Sequence, residues 1–294
     1  MSGRTSTTLF AFAFAVALAA AGRNQATDAG PLELTSLLGR KLYALPDDGS
    51  IRTAQQHLSA DPKNVGLVLA LSKAQAGRRQ YKEAVATCTS GLAFAPDNAD
   101  LYLERGHREL GLREFPPALT DLKRSVQLNS KQLDAYYHLG LAHYFLRQFS
   151  EAAESFQNAL NLAQSSDSVI DCSNWLYVSL RRAGQNDAAS QALTRITPGI
   201  TNKEPHLLFY LHLLRFYQGA MSESQILPPK PSGPADIEGE LAFDTLNYGI
   251  GNWHLYNNDP NGARKFFGRV VTGYAWNSWG FIGSEVELAK TGGL

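Results

Sequence analysis

The sequence is poor in cysteine and methionine, with two of each among its 294 residues. Two cysteines are too few for a disulfide scaffold or for a zinc site built mainly on cysteine. The chain also lacks a charge excess, because 27 Lys and Arg balance 27 Asp and Glu, whereas nucleic-acid-binding proteins usually carry a basic surplus. No uninterrupted apolar run reaches the roughly 18 residues of a membrane span. These absences favour a protein that folds around a hydrophobic core, to which a 44% share of hydrophobic residues can contribute.

The motifs of common active sites are absent as well. The chain has no GxxxxGK[ST] phosphate loop, no HExxH zinc motif and no GxSxG nucleophile turn. His138 and His143 are five residues apart, and His206 and His212 are six apart, so each pair falls on different faces of a helix. The sequence therefore predicts no catalytic residue, no metal site, no cofactor and no small-molecule substrate.

The first 21 residues have the layout of a secretory signal peptide. Arg4 supplies a positive start, and an apolar run over residues 9–21 ends in small residues suited to cleavage. Residues 22–30 are small and polar, as in a flexible lead-in. No cysteine follows the run, so a lipidated N-terminus is not predicted. We expect an exported protein, periplasmic or secreted, with no transmembrane helix in the mature chain; an uncleaved anchor and a buried helix are the alternatives.

The strongest signal is a repeat of 34 residues. The segments 65–98, 99–132 and 133–166 align without gaps, with an aromatic, an alanine and an aliphatic residue in register. The aligned residues are Tyr81, Phe115 and Phe149; Ala84, Ala118 and Ala152; and Leu92, Val126 and Leu160. A fixed period of this length is typical of helical repeat arrays, in which each unit buries its apolar face against its neighbours.

The third segment resembles the tetratricopeptide repeat. It carries that family's residue types at seven positions, namely Tyr136, Leu139, Gly140, Phe149, Ala152, Phe156 and Ala159. Gln164 stands where the family usually has a proline. The resemblance implies an all-α fold, a right-handed α-solenoid of antiparallel helix hairpins in which small residues lie where two helices press together.

The register extends to both sides and predicts an array over residues 31–203. A degenerate first repeat covers 31–64, with a first helix from Leu32 to Leu45 and a second from Ser50 to Ala60. A fourth full repeat covers 170–203 after a short insertion. At the distance that the array implies, Cys88 and Cys172 are expected to be buried, unpaired thiols rather than a disulfide, although an oxidising compartment would allow pairing.

Beyond residue 203 the period breaks. Residues 204–243 are expected to form a helix followed by a loop, because four prolines fall within 227–235. Residues 244–294 are expected to hold a final repeat and a C-terminal capping helix from Trp276 to Lys290. Trp276, Trp279 and Phe281 are interpreted as a hydrophobic lid on the last repeat, with a ligand cage as the alternative.

The resemblance also implies a concave groove lined by the first helix of each repeat. The inward positions are Leu69, Lys73, Leu103, His107, Tyr137, Leu141, Tyr144, Asn174, Val178, Arg181, Tyr248 and Asn252. Exposed aromatic and aliphatic residues in this pattern suit a partner helix or peptide. The sequence therefore predicts a protein or peptide partner, with a homodimer possible and no nucleic acid. The alternative is that neighbouring elements or a second subunit cover this face.

One branch of the family binds the C-terminal carboxylate of its partners through conserved lysine, asparagine and arginine residues. The corresponding positions here are Leu69, Lys73, Glu104, Asp134 and His138, none of which matches. That form of recognition is therefore not expected.

These observations predict an exported, non-catalytic scaffold or adaptor. A structural subunit of an envelope or secretion assembly is the alternative, and an enzyme with an unusual groove site is a third. More loosely, the layout resembles the NlpI-like envelope repeat lipoproteins of bacteria, through LYLERG at 101–106 and the late repeat at 247–267. That resemblance implies an adaptor that dimerises, and the missing anchor cysteine departs from it.

Overall fold

The structure is a computed structural model that describes residues 30–290. The predicted signal peptide and nearly all of the lead-in lie outside the described residues. Two strands come first, β1 (Leu32–Thr35) and β2 (Lys41–Tyr43). The helices are α1 (Ser50–Ala60), α2 (Val65–Gly77), α3 (Tyr81–Leu92), α4 (Ala99–Gly111), α5 (Phe115–Leu128), α6 (Leu133–Phe145), α7 (Phe149–Leu162), α8 (Ser166–Arg182), α9 (Asn186–Ala192), α10 (Leu207–Tyr217), α11 (Glu223–Ile226), α12 (Ile237–Tyr256), α13 (Pro260–Val270) and α14 (Trp279–Lys290). A 3-10 turn at Leu193–Arg195 follows α9.

Antiparallel helix pairs build the molecule, and the predicted α-solenoid of helix hairpins is confirmed. The pairs α2–α3, α4–α5, α6–α7 and α8–α9 follow one another along the chain. The small residues of the repeat lie where the helices touch: a Cβ atom at Gly140 would come within 2.7 Å of the Phe156 ring. Asn64 and Asn98 are the N-cap residues of α2 and α4, because their side chains accept a hydrogen bond from a backbone amide in the first turn of each helix.

The helix predicted from Leu32 to Leu45 is wrong, because this segment is a β-hairpin. β1 and β2 pair antiparallel, with Leu34 opposite Leu42. Burial alternates along β2, where Leu42 is 2% exposed and Tyr43 is 40% exposed, which is the period of a strand rather than of a helix. The turn forms because the Ser36 hydroxyl accepts hydrogen bonds from two amides and Gly39 adopts a left-handed backbone. The second predicted element of this region, Ser50–Ala60, is the helix α1.

The chain then returns through α10 to α14. The proline-rich segment 227–235 contains no helix, as predicted, and α12 begins at Ile237, so residues 237–243 belong to the helix and not to the loop. α14 packs on α12 and α13, as a capping helix should. The α14 backbone lies directly on α12, since a Cβ atom at Gly280 would come within 2.6 Å of the Asp244 carbonyl oxygen.

The two ends of the described chain are in contact. Arg40 Nη1 donates hydrogen bonds to the carbonyl oxygens of Val271 and Gly273, at 3.0 and 2.7 Å. Trp276 Nε1 donates to the Tyr43 carbonyl oxygen at 3.2 Å. Repeats of an open solenoid contact only their neighbours, whereas here the N-terminal hairpin is joined to the segment before α14. Within residues 30–290, no helix combines the length and apolar character needed to cross a membrane.

Both cysteines are free and fully buried, which confirms the prediction of unpaired thiols. Burial raises the pKa of the Cys88 thiol to about 11. Burial likewise raises the pKa of Cys172. Neither thiol is therefore a nucleophile at neutral pH.

Candidate functional site

The face on which the predicted groove residues lie is covered over much of its length. Seven of the twelve residues are buried, namely Tyr137, Leu141, Tyr144, Asn174, Val178, Tyr248 and Asn252. Leu69, Leu103, His107 and Arg181 are half-buried, and Lys73 is exposed. The prediction of a groove that is open along the whole array is therefore wrong. For this stretch, the alternative that neighbouring elements cover the face is correct. The seven buried residues pack inside the protein and are not accessible to a partner.

The returning chain from α10 to α14 forms this cover: the Tyr144 hydroxyl donates to Asn252 Oδ1 of α12 at 3.0 Å, and the segment before and at the start of α14 lies on the earlier repeats. The Trp276 ring meets Tyr81 edge-on, with centroids 5.5 Å apart, and the Trp279 ring lies 5.4 Å from His107 and 6.2 Å from Phe145. The segment packs on the last repeat, as a hydrophobic lid there requires, but the tryptophans are not confined to that repeat. They reach the first three full repeats, because the chain doubles back across the array.

Three arginines attach this segment to the repeats. Arg79, Arg113 and Arg147 stand 34 residues apart, each in the turn between the two helices of its repeat. Their backbones are left-handed, with φ of 57°, 65° and 63°, a conformation that costs a non-glycine residue about 1 kcal/mol. The fourth repeat has Gly184 in the same conformation. Because glycine adopts this backbone conformation at lower cost, an arginine at the position indicates that its side chain makes an interaction that offsets the strain.

The arginine side chains bind the C-terminal segment in order. Arg79 Nη1 donates to the Tyr274 carbonyl oxygen at 3.0 Å. Arg113 Nε and Nη2 donate to Glu285 Oε2 at 2.8 and 2.6 Å, and both side chains are almost fully buried. Arg147 Nη1 donates to Glu287 Oε2 at 2.9 Å. The sequence reasoning missed these arginines, although each precedes the aligned aromatic of its repeat by two residues.

One part of the groove stays open. A cleft of about 370 Å³ lies where α2 and α4 face α10, α12 and the start of α14. Its basic and aromatic lining includes Lys73, His107, Arg108, His206, Phe209 and Trp279. We call it the first cleft. It contains two predicted groove residues, Lys73 and His107, and it adds residues from α10 and α14 that repeat register could not assign.

The first cleft carries positive charge. The part of its lining that the structure describes contains no carboxylate, and Lys73 is exposed. Glu104, which the sequence suggests would repel an acidic ligand, is bound instead by Arg108 Nε and by the Ser72 hydroxyl, each at 2.9 Å. An anionic group in the cleft therefore meets a neutralised glutamate beside a free lysine.

His107 of the cleft lining contacts a second histidine, His138. The rings of His107 and His138 lie 4.0 Å apart, and Trp279 contacts both. Burial lowers the pKa of His107, and it lowers the pKa of His138 to about 4. Both rings are therefore neutral at pH 7 and act as flat surfaces. The sequence analysis considered His138 only as a carboxylate-binding or metal-binding position, and repeat spacing does not show its contact with His107 and Trp279.

Several titratable groups outside the first cleft are buried in the helix packing. Burial raises the pKa of Glu109 to about 8 and that of Asp171 to about 7. Asp171 accepts a hydrogen bond from the Tyr137 hydroxyl at 2.9 Å. His143 is buried and bonded to Gln148, as expected of a packing position. Among the residues that the structure describes, no group of three His, Cys, Asp or Glu side chains could hold a metal ion.

Comparison with known proteins supports the repeat. The family described as tetratricopeptide repeat matches residues 133–166, the third aligned segment. No curated protein matches the chain. Among solved structures, a crystal structure of MamA is 24% identical with a TM-score of 0.45, covering 50% of this chain and 85% of MamA. MamA from residue 41 onward, from Desulfovibrio magneticus RS-1, is 22% identical with a TM-score of 0.44, covering 49% and 80%. This likeness concerns the helical-repeat fold alone.

Proposed function

We propose that this tetratricopeptide-repeat protein is a non-catalytic scaffold that holds a partner protein by a short peptide segment in the first cleft. The first cleft carries the proposal. It is an accessible part of a groove that the chain's own α14 and its neighbours otherwise fill. Helical repeats present such surfaces for protein binding. The partner inserts one or two side chains rather than laying a helix along the array.

The chemistry of the cleft favours an acidic residue next to an apolar one. Lys73 supplies a positive charge, and among the described lining residues no carboxylate opposes an acidic side chain. Phe209 and Trp279 offer aromatic surface beside them. Aromatic side chains in a concave pocket contribute most of the binding energy in many interfaces, while charged groups orient the ligand.

Export is part of the same proposal. The apolar run at 9–21 after Arg4 supports it, and the scaffold would then act in the periplasm or outside the cell. The adaptor role implied by the resemblance to NlpI-like lipoproteins, and a homodimer, stay predictions.

A peptide-display selection on residues 22–294 tests the proposal. We expect selected peptides that share an acidic and an aromatic or aliphatic residue. Lys73→Glu, at an exposed position in the cleft, should weaken a selected peptide about tenfold or more, because it replaces attraction by repulsion. Lys131→Glu makes the same change at an exposed site outside the cleft and should leave binding unchanged. Equal binding by the two variants, or no selected peptide, would refute the proposal.

A further inference from the structure

A second cleft, of about 520 Å³, lies beside the Gly184 turn at the far end of α14. Its polar lining consists of Arg147, Arg181, Arg182, Lys290 and Glu287. Leu255 and Tyr256 complete the wall. We call it the arginine cleft. It shares no lining residue with the first cleft, so its role does not depend on a peptide partner.

The charges in the arginine cleft do not balance. Among the residues that the structure describes, four cationic side chains and one carboxylate, that of Glu287, line the cleft. Arg147 Nη1 and Arg182 Nη1 both donate to that carboxylate, each at 2.9 Å. The pair of Arg113 and Glu285, by contrast, is one to one. Like charges in a cleft repel one another. A surplus of three positive charges therefore destabilises the folded protein unless an anion binds and offsets it.

Within residues 30–290, Arg181 has no carboxylate partner. It donates to the Tyr177 hydroxyl and to the Asn257 side-chain oxygen, both at 3.1 Å and both neutral acceptors. Its Nε is buried without a hydrogen-bond partner. Among the ion pairs of residues 30–290, none includes Arg181. The hydrogen bonds of Arg181 therefore leave its positive charge without a compensating anion, which a ligand in the cleft would supply.

The guanidinium groups are also held in place before any ligand arrives. Arg181 lies 4.3 Å above the Tyr256 ring, and Arg182 lies 4.4 Å above the Phe149 ring. The Arg182 side chain is only 5% exposed. Stacking on aromatic faces fixes the planes of the two guanidiniums. A ligand therefore meets oriented donors and does not have to order flexible side chains.

We propose that the arginine cleft binds a phosphate group, free or on a small phosphomonoester. The planar arginine fork matches the oxygens of phosphate or carboxylate. A phosphomonoester carries a charge of about −1.5 to −2 at pH 7, which offsets more of the surplus than a carboxylate does. The volume of about 520 Å³ leaves room for an organic group next to Tyr256 and Leu255.

The test is thermal unfolding and calorimetric titration of the protein with inorganic phosphate, glycerol 2-phosphate and acetate at constant ionic strength. At ten times its Kd, phosphate should raise the Tm by about 3 °C, because it binds only the folded chain. Stronger binding of glycerol 2-phosphate identifies a phosphomonoester site, and equal binding identifies a free-phosphate site. Acetate as effective as phosphate would overturn the assignment.

Variants locate the binding. The double variant Arg181→Gln and Lys290→Gln should bind phosphate about tenfold more weakly or worse. The matched control, Arg124→Gln and Lys131→Gln, removes the same charges elsewhere and should bind like the native chain. Lys290→Gln alone, at an exposed position, should weaken binding about threefold, the effect of one exposed charge. It remains the test if the double variant does not fold. Equal binding by all variants, or no binding of phosphate by the native chain, would refute the proposal.

Discussion

The repeats between residues 65 and 162 and the returning segment between residues 204 and 290 are stabilised by different kinds of contact. In the repeats, each helix packs mainly on its neighbour in sequence, as α4 does on α5 and α6 on α7. In the returning segment, Glu285 binds an arginine 172 residues earlier, and Glu287 binds one 140 residues earlier. The comparison shows that local packing forms the repeats, while contacts between distant residues, both polar and aromatic, cover part of the groove.

The largest expected effect comes from breaking the buried ion pair that joins the two regions. Glu285→Ala leaves the Arg113 charge buried without a carboxylate, so unfolding by urea should show a loss of about 3–5 kcal/mol. The Gly111 and Trp276 carbonyl oxygens also accept hydrogen bonds from Arg113, but they do not neutralise its charge.

The control for this pair replaces both partners. Arg113→Met with Glu285→Leu removes the charges together, and we expect a much smaller loss than for Glu285→Ala. A loss below about 1 kcal/mol for Glu285→Ala would mean that α14 does not unfold cooperatively with the repeats.

An intermediate effect is expected from pH, through the histidine that touches both regions. The pKa of His138 is lowered by burial to about 4, against about 6.5 in an unfolded chain. Between these values the unfolded chain binds more protons, so the contribution to stability is complete above pH 6.5 and is lost as the pH falls towards 4. Between pH 7 and pH 5 the native chain should therefore lose about 1–2 kcal/mol more than His138→Gln.

Urea unfolding of both proteins at the two pH values measures this difference. The raised pKa values of Glu109 and Asp171 act in the opposite direction, but they are present in both proteins and cancel. His57→Gln, at an exposed position in α1, is the matched control and should follow the native chain. If the free energy of unfolding of the native protein and of His138→Gln changes equally between pH 7 and pH 5, the contact of His138 with both regions does not make their stability pH-dependent.

The smallest expected effect lies on the surface of the repeats. Arg124 and Asp97 form an ion pair in which the side chains are 41% and 75% exposed. Exposed pairs are screened and contribute little, so Arg124→Ala should change the free energy of unfolding by no more than about 0.5 kcal/mol. A loss above about 1.5 kcal/mol would contradict the expectation that exposed ion pairs of the repeats contribute far less stability than the buried pair at Glu285.

The part of the fold that depends on local pattern was predictable from the sequence. Tyr81, Phe115 and Phe149, aligned by the period alone, are the first residues of α3, α5 and α7. The hairpin at 32–43 was missed because a short, leucine-containing segment was assigned by extending the repeat register rather than by its own alternation. Repeat spacing carries no information on an element that lies outside the array.

The candidate site was predictable only in part, for a similar reason. Lys73 and His107, which the repeat rule assigns to the groove, line the first cleft. Tyr137 and Leu141 satisfy the same repeat rule but are buried. The difference arises from elements that cover the array, and the pattern of Glu285 and Glu287 is that of any helix with acidic residues. Their arginine partners lie more than a hundred residues away, so the sequence around them does not show that they attach α14 to the repeats.

The contact between the N-terminal hairpin and residues 271–276 also limits how this protein can evolve. Open helical arrays gain and lose units by duplication, because an added repeat disturbs only its two neighbours. Here an extra 34-residue unit would move Arg40 and Tyr43 away from the carbonyl groups and the indole that they bind. Homologues with the same hairpin should therefore keep the same number of repeats and vary in their loops instead.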